Sequence, residues 1–531
     1  MFWADRIAAE IEERFKDRIK KGEPLLIRDE KTASGRVHVG SMRGVAIHGL
    51  LARVLRERGV LNEFKYEIND FDPFDGLPNY LPADQYKPLL GGQLYKIPSP
   101  DSSAPNYADF YGGEFMKVIS DSGYHPTFYY SKDLYLSGKM DEAMRLVITN
   151  ADRIREIYKE VSGSQRVSEW LPISVICENC AKVSMTQSSD FDGETVAYRC
   201  VPHELPWGGV GCGHSGRVSP FGGRAKLPWK PEWAAKWYVL GVDVEGAGKD
   251  HSTKGGARDV ANAIARDVFN IEPPFDVPYE FFLVGGQKMA SSKGRGSSAR
   301  DVASLVPPKI FRLALLGKEI NQAFNFDPAG ETIPVLYDLY DKLAEGYKAG
   351  NDDDYSRLFT LIETDDRGDS KQKIEVPFLM RFSQLAFTVQ MPHVDLYSAA
   401  AELKGSALTD LDRAELDERA AYAKGWLKGQ APEKYRFALH DTMPESASTL
   451  TAVQKAALGR VAELLEKATS PEELHTQIHS LKDELTIAPA ELFAAIYLIF
   501  FGKSQGPKAG WLLYTLPRES TLVRLRAAAT L

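Results

Sequence analysis

Four cysteines in 531 residues are too few to hold a fold together with disulfides. Long hydrophobic runs are missing as well. The longest apolar stretch, residues 492–501, is too short to span a bilayer and reads as a buried helix. Residues 1–18 carry acids and bases at helical spacing and lack the apolar core of a signal peptide. Positive charge is not in surplus either: the net charge is -8 and the isoelectric point is near 5.8. That excludes a protein that coats nucleic acid indiscriminately, while leaving room for a local basic face. No internal repeat or low-complexity tract interrupts the chain, and the acidic run 352–354 reads as a solvated turn. With 44% hydrophobic and 26% charged residues, the composition is that of a globular protein too long for one core. A soluble, cytoplasmic chain of about two to four domains, with no membrane segment, is the expectation.

Residues 24–27 form a short apolar run of buried-strand type. A polar loop with Gly35 follows. From Ser41 the apolar positions Met42, Val45, Ala46, Leu50, Val54 and Leu55 recur at helical spacing, and Arg58 and Gly59 read as the C-cap. A second strand-like run, 64–68, leads into Asn69, Asp70 and Asp72. This β–α–β order predicts a parallel sheet with its ligand at the carboxyl ends of the strands. Segment 75–110, rich in Pro, Gly and Tyr, reads as a long insertion, and 140–161 as one amphipathic helix. All four cysteines fall within 177–216, a polar stretch without helical period that reads as a small inserted knob. The α/β pattern then resumes, with a strand predicted at 279–284 running into Gly285, Gly286 and a Lys/Ser-rich loop. Beyond Asp301, Ala, Leu, Glu and Lys dominate. Their spacing predicts helices at 334–348, 411–428, 450–468, 471–485 and 489–501.

Two loops carry the chemistry. In Thr32-Ala33-Ser34-Gly35-Arg36-Val37-His38-Val39-Gly40-Ser41, a strand passes into a helix. A helix N-terminus offers free N–H donors and the positive end of a dipole, which attract phosphate. His38 is placed to donate to a triphosphate, and Gly40 lets a flat base lie against the backbone. The plain alternative is an N-cap loop with a surface histidine. The second loop, Lys288-Met289-Ala290-Ser291-Ser292-Lys293-Gly294, is small, flexible and twice basic. Such a loop can neutralise charge growing on a departing pyrophosphate. On its own it is equally a surface loop. Both loops in this order, each after a strand, are far harder to obtain by chance.

The first loop resembles the HIGH signature of class I aminoacyl-tRNA synthetases, and the second resembles their KMSKS signature in its K-M-S-S-S-K-G form. More narrowly, R-D-E-K-T-A-S-G-R-V-H-V-G-S with K-M-A-S-S-K-G resembles the class I lysyl-tRNA synthetases. Pro228-Trp229, Lys249-Asp250-His251 after Gly248, and Tyr279-Glu280 stand where that family has similar segments. The resemblance covers nearly the whole chain and is densest before Asp327. It implies ATP with Mg2+, lysine and tRNA(Lys) as the reactants; a monomer is the expectation. It also implies that Thr32, Trp229, His251 and Tyr279 line the lysine pocket; Ser34, Gly35, Asp70 and Asp250 are further candidates for substrate binding. His38, Gly40, Ser41, Lys288, Ser291, Ser292 and Lys293 would act on ATP. This chain departs from the family pattern in three places: Ser41 replaces a second histidine, Ala290 replaces a loop serine, and Glu30 stands where many members have glycine.

The residue chemistry is compatible. A short carboxylate beside an imidazole, as in Asp250-His251, can bind a ribose hydroxyl or an ammonium; equally, Asp caps a helix and His faces water. Trp229 and Tyr279 suit an aliphatic stem ending in an ammonium, though an aromatic is more often core. Asp70 and Asp72, just past a strand, are candidates for holding a substrate α-amino group. Cys177, Cys180, Cys200 and Cys212 in one polar insertion suggest a tetrahedral structural Zn2+, with His203 or His214 able to replace a cysteine. Reduced thiols or a redox pair are the alternatives.

The expected architecture is therefore α/β. A Rossmann-like parallel-sheet catalytic domain spans 1–170 and 217–300, with a zinc-binding insertion at 171–216. A helical connector at 301–345 leads to an all-α anticodon-binding domain at 346–531, for which helical dimerisation is the rival. Lysine would be activated to its adenylate and passed to the terminal adenosine of tRNA(Lys). Class membership implies attack by the 2′-hydroxyl and activation that waits for tRNA. The alternatives are a class I enzyme for glutamate or arginine, or a small-metabolite nucleotidyltransferase.

Overall fold

A computed structural model describes residues 1–286, 297–368, 373–391 and 394–531. They form two compact units: Met1–Phe326 with Ala349–Ile374, and Asp327–Lys348 with Glu375–Leu531. Among the described residues, no helix is long and apolar enough to cross a membrane.

The first unit is built on a parallel sheet. Strand β1 (Leu25–Thr32) passes through helix α1 (Ser41–Glu57) into β2 (Asn62–Asn69), and β3 (Thr127–Tyr130) lies on the far side of β2. Both pairings are parallel, with Ile27 opposite Phe64 and Lys65 opposite Thr127. On the other side of β1, single parallel bridges join Ile27 to Val244 and Val244 to Phe275. The order of the strands thus reverses at β1. In a doubly wound sheet the ligand crevice opens where that happens. The ends of β1 and of the Val244 segment are that place here.

β1 runs five residues past the expected 24–27, because its charged members Arg28 and Asp29 are buried with partners rather than rejected from the core. Every residue of α1 from Met42 to Leu55 is buried, so this helix lies inside the unit instead of on its surface.

The single helix expected at 140–161 is two: α2 (Asp141–Thr149) and α3 (Ala151–Ser162). Asn150 leaves helical geometry, and its side-chain amide donates to the Leu146 carbonyl at 2.8 Å. That local bond competes with the helix ladder and stops it. The apolar stripe continues across the break, which is why periodicity alone joins the two.

The cysteine-rich insertion is a three-stranded antiparallel sheet, β4 (Thr186–Phe191), β5 (Val196–Cys200) and β6 (Ser215–Val218). A short antiparallel ribbon of Ser174–Val175 with Ala225–Lys226 closes its base. Helices α4 (Trp229–Leu240) and α5 (Ala257–Asp267) follow, then the parallel pair β7 (Phe282–Val284) and β8 (Phe324–Phe326). Only the second half of the strand expected at 279–284 forms β7; Tyr279 instead makes a lone bridge to Gly248.

The units do not divide at a connector spanning 301–345. Residues 349–374 belong to the first unit, held there by arginines. Arg357, on the helix Asp354–Glu363, pairs with Asp5 at 3.0 Å and Glu57 at 2.7 Å. Arg53 donates to the carbonyl of Leu361, and Arg312 to that of Ile362. Such long-range anchors leave no periodic trace in a sequence.

The second unit is all-helical. Its main helices are α6 (Thr332–Lys348), α7 (Asp410–Gly429), α8 (Ala452–Lys467), α9 (Pro471–Glu484), α10 (Pro489–Phe501), α11 (Ala509–Thr515) and α12 (Arg518–Ala529). The boundaries are written in the sequence. Thr409 and Thr451 form capping boxes with Asp412 and Gln454, and prolines open α9 and α10. Leu458, Val461, Leu474, Ile478, Leu492, Ile496 and Leu512 share one core.

Candidate active site

At the switch point lies a cavity of about 330 Å³. β1 and the loop after it supply Thr32, His38, Gly40 and Ser41; the Val244 segment runs into Gly248, Asp250 and His251; Tyr279 and Trp229 complete the lining. Eight of the candidate site residues, Thr32, His38, Gly40, Ser41, Trp229, Asp250, His251 and Tyr279, therefore meet in one place. A neighbouring cavity of about 450 Å³ shares Thr32 and Trp229 and adds Ser34, Asp72, Asp75 and Lys226. Gly35 lies in the same loop with φ 150°.

The aromatic wall is layered. Trp229 stacks on Trp233 with ring centroids 5.8 Å apart, and the His251 ring stands edge-on to Trp229 at 5.0 Å. The turn carrying Asp250 and His251 is held by Lys249 donating to the Tyr279 carbonyl at 2.9 Å and His251 donating to that of Gly248 at 2.9 Å. Gly44 on α1 is what lets the phenol of Tyr279 come so close. A Cβ there would sit 2.5 Å from the Tyr279 hydroxyl and 2.6 Å from Asp29 Oδ2.

Lys288, Ser291, Ser292 and Lys293 lie outside the described residues. The backbone on either side of them is well tied. Gly286 donates to Asn325 Oδ1 at 2.7 Å, while Val39 donates to the Ser297 carbonyl at 3.2 Å and Ala299 to that of Val37 at 2.8 Å. The first loop is thus bonded directly to the chain that leaves the second, through a bridge between His38 and Ser298.

Asp70 does not reach either cavity. Its carboxylate accepts from the Lys132 backbone N–H at 2.8 Å and pairs with the Lys132 ammonium at 3.2 Å. Burial outweighs these contacts and pushes its carboxyl up to about 6. Asp72, two residues on, takes the cavity position and accepts from Thr32 Oγ1 at 2.6 Å. The strand ends at Asn69 and the chain turns there, the Asp70 N–H donating to the Ile68 carbonyl at 2.9 Å, so the two carboxylates do not keep the shared face that residues two apart have within a strand.

Sequence reasoning missed the charges beneath the site. Arg28, fully buried, pairs with Glu67 at 2.6 Å, with Glu245 at 2.8 Å and with Glu30. Lys236 meets Glu30 at 3.3 Å as well as Glu67 and Glu232, and Lys226 pairs with Asp72 at 2.8 Å and Glu232. Burial alone would raise the Glu67 carboxyl, but Lys236 and Arg28 hold it well below the usual carboxylate range. Three cations here face five carboxylates, Glu30, Glu67, Glu232, Glu245 and Asp72, leaving two negative charges in excess. Glu30 and Glu245 reach the cavity wall. Arg43 also lines it, buried, with burial lowering its guanidinium to about 10 and Nη2 donating to the Glu319 carbonyl at 3.2 Å. Ion pairs have no sequence period, so only the spacing of Arg28 and Glu30 along a strand hinted at this network.

The four cysteines converge. Their sulfurs all lie within 4.8 Å of one another, with Cys177 to Cys212 and Cys180 to Cys200 each at 3.6 Å. A tetrahedron of sulfurs about 2.3 Å from a zinc ion has edges of about 3.8 Å, so the thiols fit that ion. Among the described residues the set is complete without His203 or His214. The Cys212 backbone N–H also donates to Cys200 Sγ at 3.3 Å, a donor that suits a thiolate.

Comparison with known proteins accords with this geometry. Residues 1–365 match the family described as tRNA synthetases class I (K), and residues 427–529 match one described as an anticodon binding domain. A lysine–tRNA ligase of Methanosarcina barkeri is 32% identical over 99% of this chain and 97% of its own length. One from Archaeoglobus fulgidus is 30% identical over 99% of this chain and 100% of its own. On these grounds the chain belongs to the class I (K) family of tRNA synthetases.

Proposed function

We infer that this protein is a lysine–tRNA ligase, which activates lysine with ATP and passes it to the terminal adenosine of tRNA(Lys). The observation that carries the reading is the switch-point cavity, with a phosphate-attracting loop and α1 on one wall and a negatively charged aromatic wall opposite. The similarity to ligases of this name runs the length of the chain.

In the first step the lysine carboxylate attacks the α-phosphorus of Mg–ATP in line, and pyrophosphate leaves. A ribose hydroxyl of the tRNA's terminal adenosine then attacks the carbonyl of the mixed anhydride and AMP departs. Neither step calls for a catalytic triad; positioning and charge neutralisation dominate. His38, Gly40 and Ser41 are assigned to the nucleotide at the start of α1. Lys288, Ser291, Ser292 and Lys293 are assigned to the leaving pyrophosphate.

Thr32, Trp229, His251 and Tyr279 form the lysine pocket, with Glu30 as the carboxylate facing the side-chain ammonium. In the ionic network beneath the cavity the carboxylates outnumber the cations, which suits a cationic substrate. A glutamate side chain would add to the imbalance, which argues against the glutamate alternative.

Zn2+ is assigned to Cys177, Cys180, Cys200 and Cys212. It would staple a knob too small to fold on apolar burial, and four thiolates leave no open position for catalysis. The second unit is assigned to reading the anticodon. The protein works as a monomer in the cytoplasm.

ATP–pyrophosphate exchange tests the reading. Exchange is expected only with lysine and tRNA(Lys) together. Robust exchange with glutamate or arginine, or with no RNA present, would overturn it.

A further inference from the structure

His48 lies in the middle of α1, fully buried, and lines neither of the two cavities. Both of its ring nitrogens are nevertheless engaged. Nδ1 lies 2.8 Å from the Gly44 carbonyl oxygen and 3.4 Å from Asp29 Oδ2, and Nε2 accepts from the Gly246 backbone N–H at 2.8 Å. Two acceptors face Nδ1 and a donor faces Nε2, so the geometry demands a proton on Nδ1 and a lone pair on Nε2. Burial opposes a second proton and the Asp29 carboxylate favours it, with a net pull upward on the ring's pKa; that proton would need the place the Gly246 N–H already holds. The plane of the ring is set by Phe64, stacked on it with centroids 6.1 Å apart, and by Tyr279, edge-on at 6.5 Å.

These contacts take the place of a piece of sheet. β1 and the Val244 segment begin a parallel ladder, in which Val244 donates to the Leu26 carbonyl at 3.1 Å and Arg28 donates to that of Val244 at 2.9 Å. The next rung would carry the Gly246 N–H to the Arg28 carbonyl and the Glu30 N–H to that of Gly246. Both donors turn elsewhere. The Gly246 N–H goes to His48, and the Glu30 N–H goes to Asp29 Oδ1 at 2.8 Å. Each is satisfied by a side chain, and those two side chains meet each other. A buried N–H left without an acceptor is costly, so the rung could not simply be dropped. With it replaced, the two chains are free to part. Glu30, Lys31 and Thr32 on one, and Ala247, Gly248 and Asp250 on the other, then line the switch-point cavity.

We propose that His48, paired with Asp29, is a positioning residue that holds the crevice open: it stands in for the missing rung and so sets where the turn bearing Asp250 and His251 lies against the first loop. It touches no substrate and acts through the Gly246 backbone. The inference rests on the reading of this cavity as the lysine site.

Two substitutions in the full-length enzyme, assayed by charging of tRNA(Lys), separate this role from mere filling of space. His48→Gln puts its amide oxygen where Nε2 stands and keeps an acceptor for Gly246. His48→Asn is one carbon shorter; it keeps the Gly44 side of the ring's contacts and cannot reach Gly246. His48→Asn is expected to raise the KM for lysine roughly 10- to 100-fold, with the KM for ATP and kcat at saturating lysine little changed, while His48→Gln stays near the wild type. A wild-type lysine KM in His48→Asn would overturn the proposal, as would an equal loss in lysine KM, ATP KM and kcat in both variants. The wild type alone supplies a second measurement. With isotope-labelled histidine, nitrogen NMR should show the ring next to the Gly246 amide with a protonated Nδ1 and a bare Nε2 at neutral pH. A ring protonated at Nε2 would overturn the proposal while leaving the ligase reading intact. A wild-type enzyme that charges no tRNA with lysine would instead remove the reading beneath it.

Discussion

Gly44 and Glu30 are the residues on which the site is most exposed to single changes. Gly44→Ala puts a methyl group where the Tyr279 hydroxyl and the Asp29 carboxylate already meet. Tyr279 must swing away from the cavity, and a displacement of about 1 Å at a reacting centre costs on the order of 100-fold. We expect kcat/KM for lysine to fall by that order in pyrophosphate exchange; an unchanged value would mean Tyr279 does not position substrate. Glu30→Gln removes one carboxylate from the wall proposed to face the lysine ammonium. A hydrogen bond to a charged group contributes about 1.5–3 kcal/mol, so the KM for lysine should rise roughly 10- to 100-fold with little change in that for ATP. His38, Thr32, Trp229 and Tyr279 were readable as site residues because loop chemistry and family resemblance mark them. Glu30 was visible only as a departure. That it belongs to an ionic network needs Arg28, Lys236 and Glu67, which are brought together from three separate stretches of chain.

The elements show where local signals suffice. The caps at Thr409 and Thr451 and the prolines opening α9 and α10 place helix ends within a residue or two of expectation, because capping is chemistry between near neighbours. Asn150 misled the reading for the same reason in reverse. Asp70 offers a pH test at this scale. Its carboxyl is raised to about 6 in the folded protein, above its ordinary value, so the folded state binds the proton more tightly than the unfolded chain. Stability contributed by the protonated form is present at low pH and is lost as pH rises through about 6. Asp70→Asn should abolish that decline between pH 4 and 6 in thermal melts, and retain activity, since Asp70 lines neither cavity. The knob provides a second test. Wild-type protein should carry one equivalent of zinc by mass spectrometry, and Cys180→Ser should lose it. Proteolysis would then open the segment between Cys177 and Ser215 while the parallel sheet stays protected. Cutting elsewhere first would remove the zinc from its structural role.

Across the whole molecule, the two units have separate cores, so their stabilities are separable. Thr451→Ala removes one half of a capping box in the second unit and should cost about 1 kcal/mol there. Calorimetry should record the loss in one transition only, with pyrophosphate exchange at saturating tRNA unaffected. Salt dependence distinguishes the substrates in the same way. The KM for tRNA should climb steeply with ionic strength, as expected when phosphates displace counterions, while that for lysine, buried among its partners, should move little.

What the sequence by itself determined were the things that local order encodes: a β–α–β opening, two phosphate-type loops, a cysteine set fit for zinc, and capped helices toward the end. What only the tertiary structure decided was which of these meet and what surrounds them. It brought Trp229, Asp250, His251 and Tyr279 to the first loop and turned Asp70 away in favour of Asp72. It also laid a buried surplus of negative charge under the cavity, and gathered residues 349–374 onto the first unit through Arg53, Arg312 and Arg357. The physical reason is range. Helical period, capping and strand alternation act over a few residues and so repeat along the chain. Ion pairs and cavities join residues from stretches far apart in the sequence, with no period to betray them.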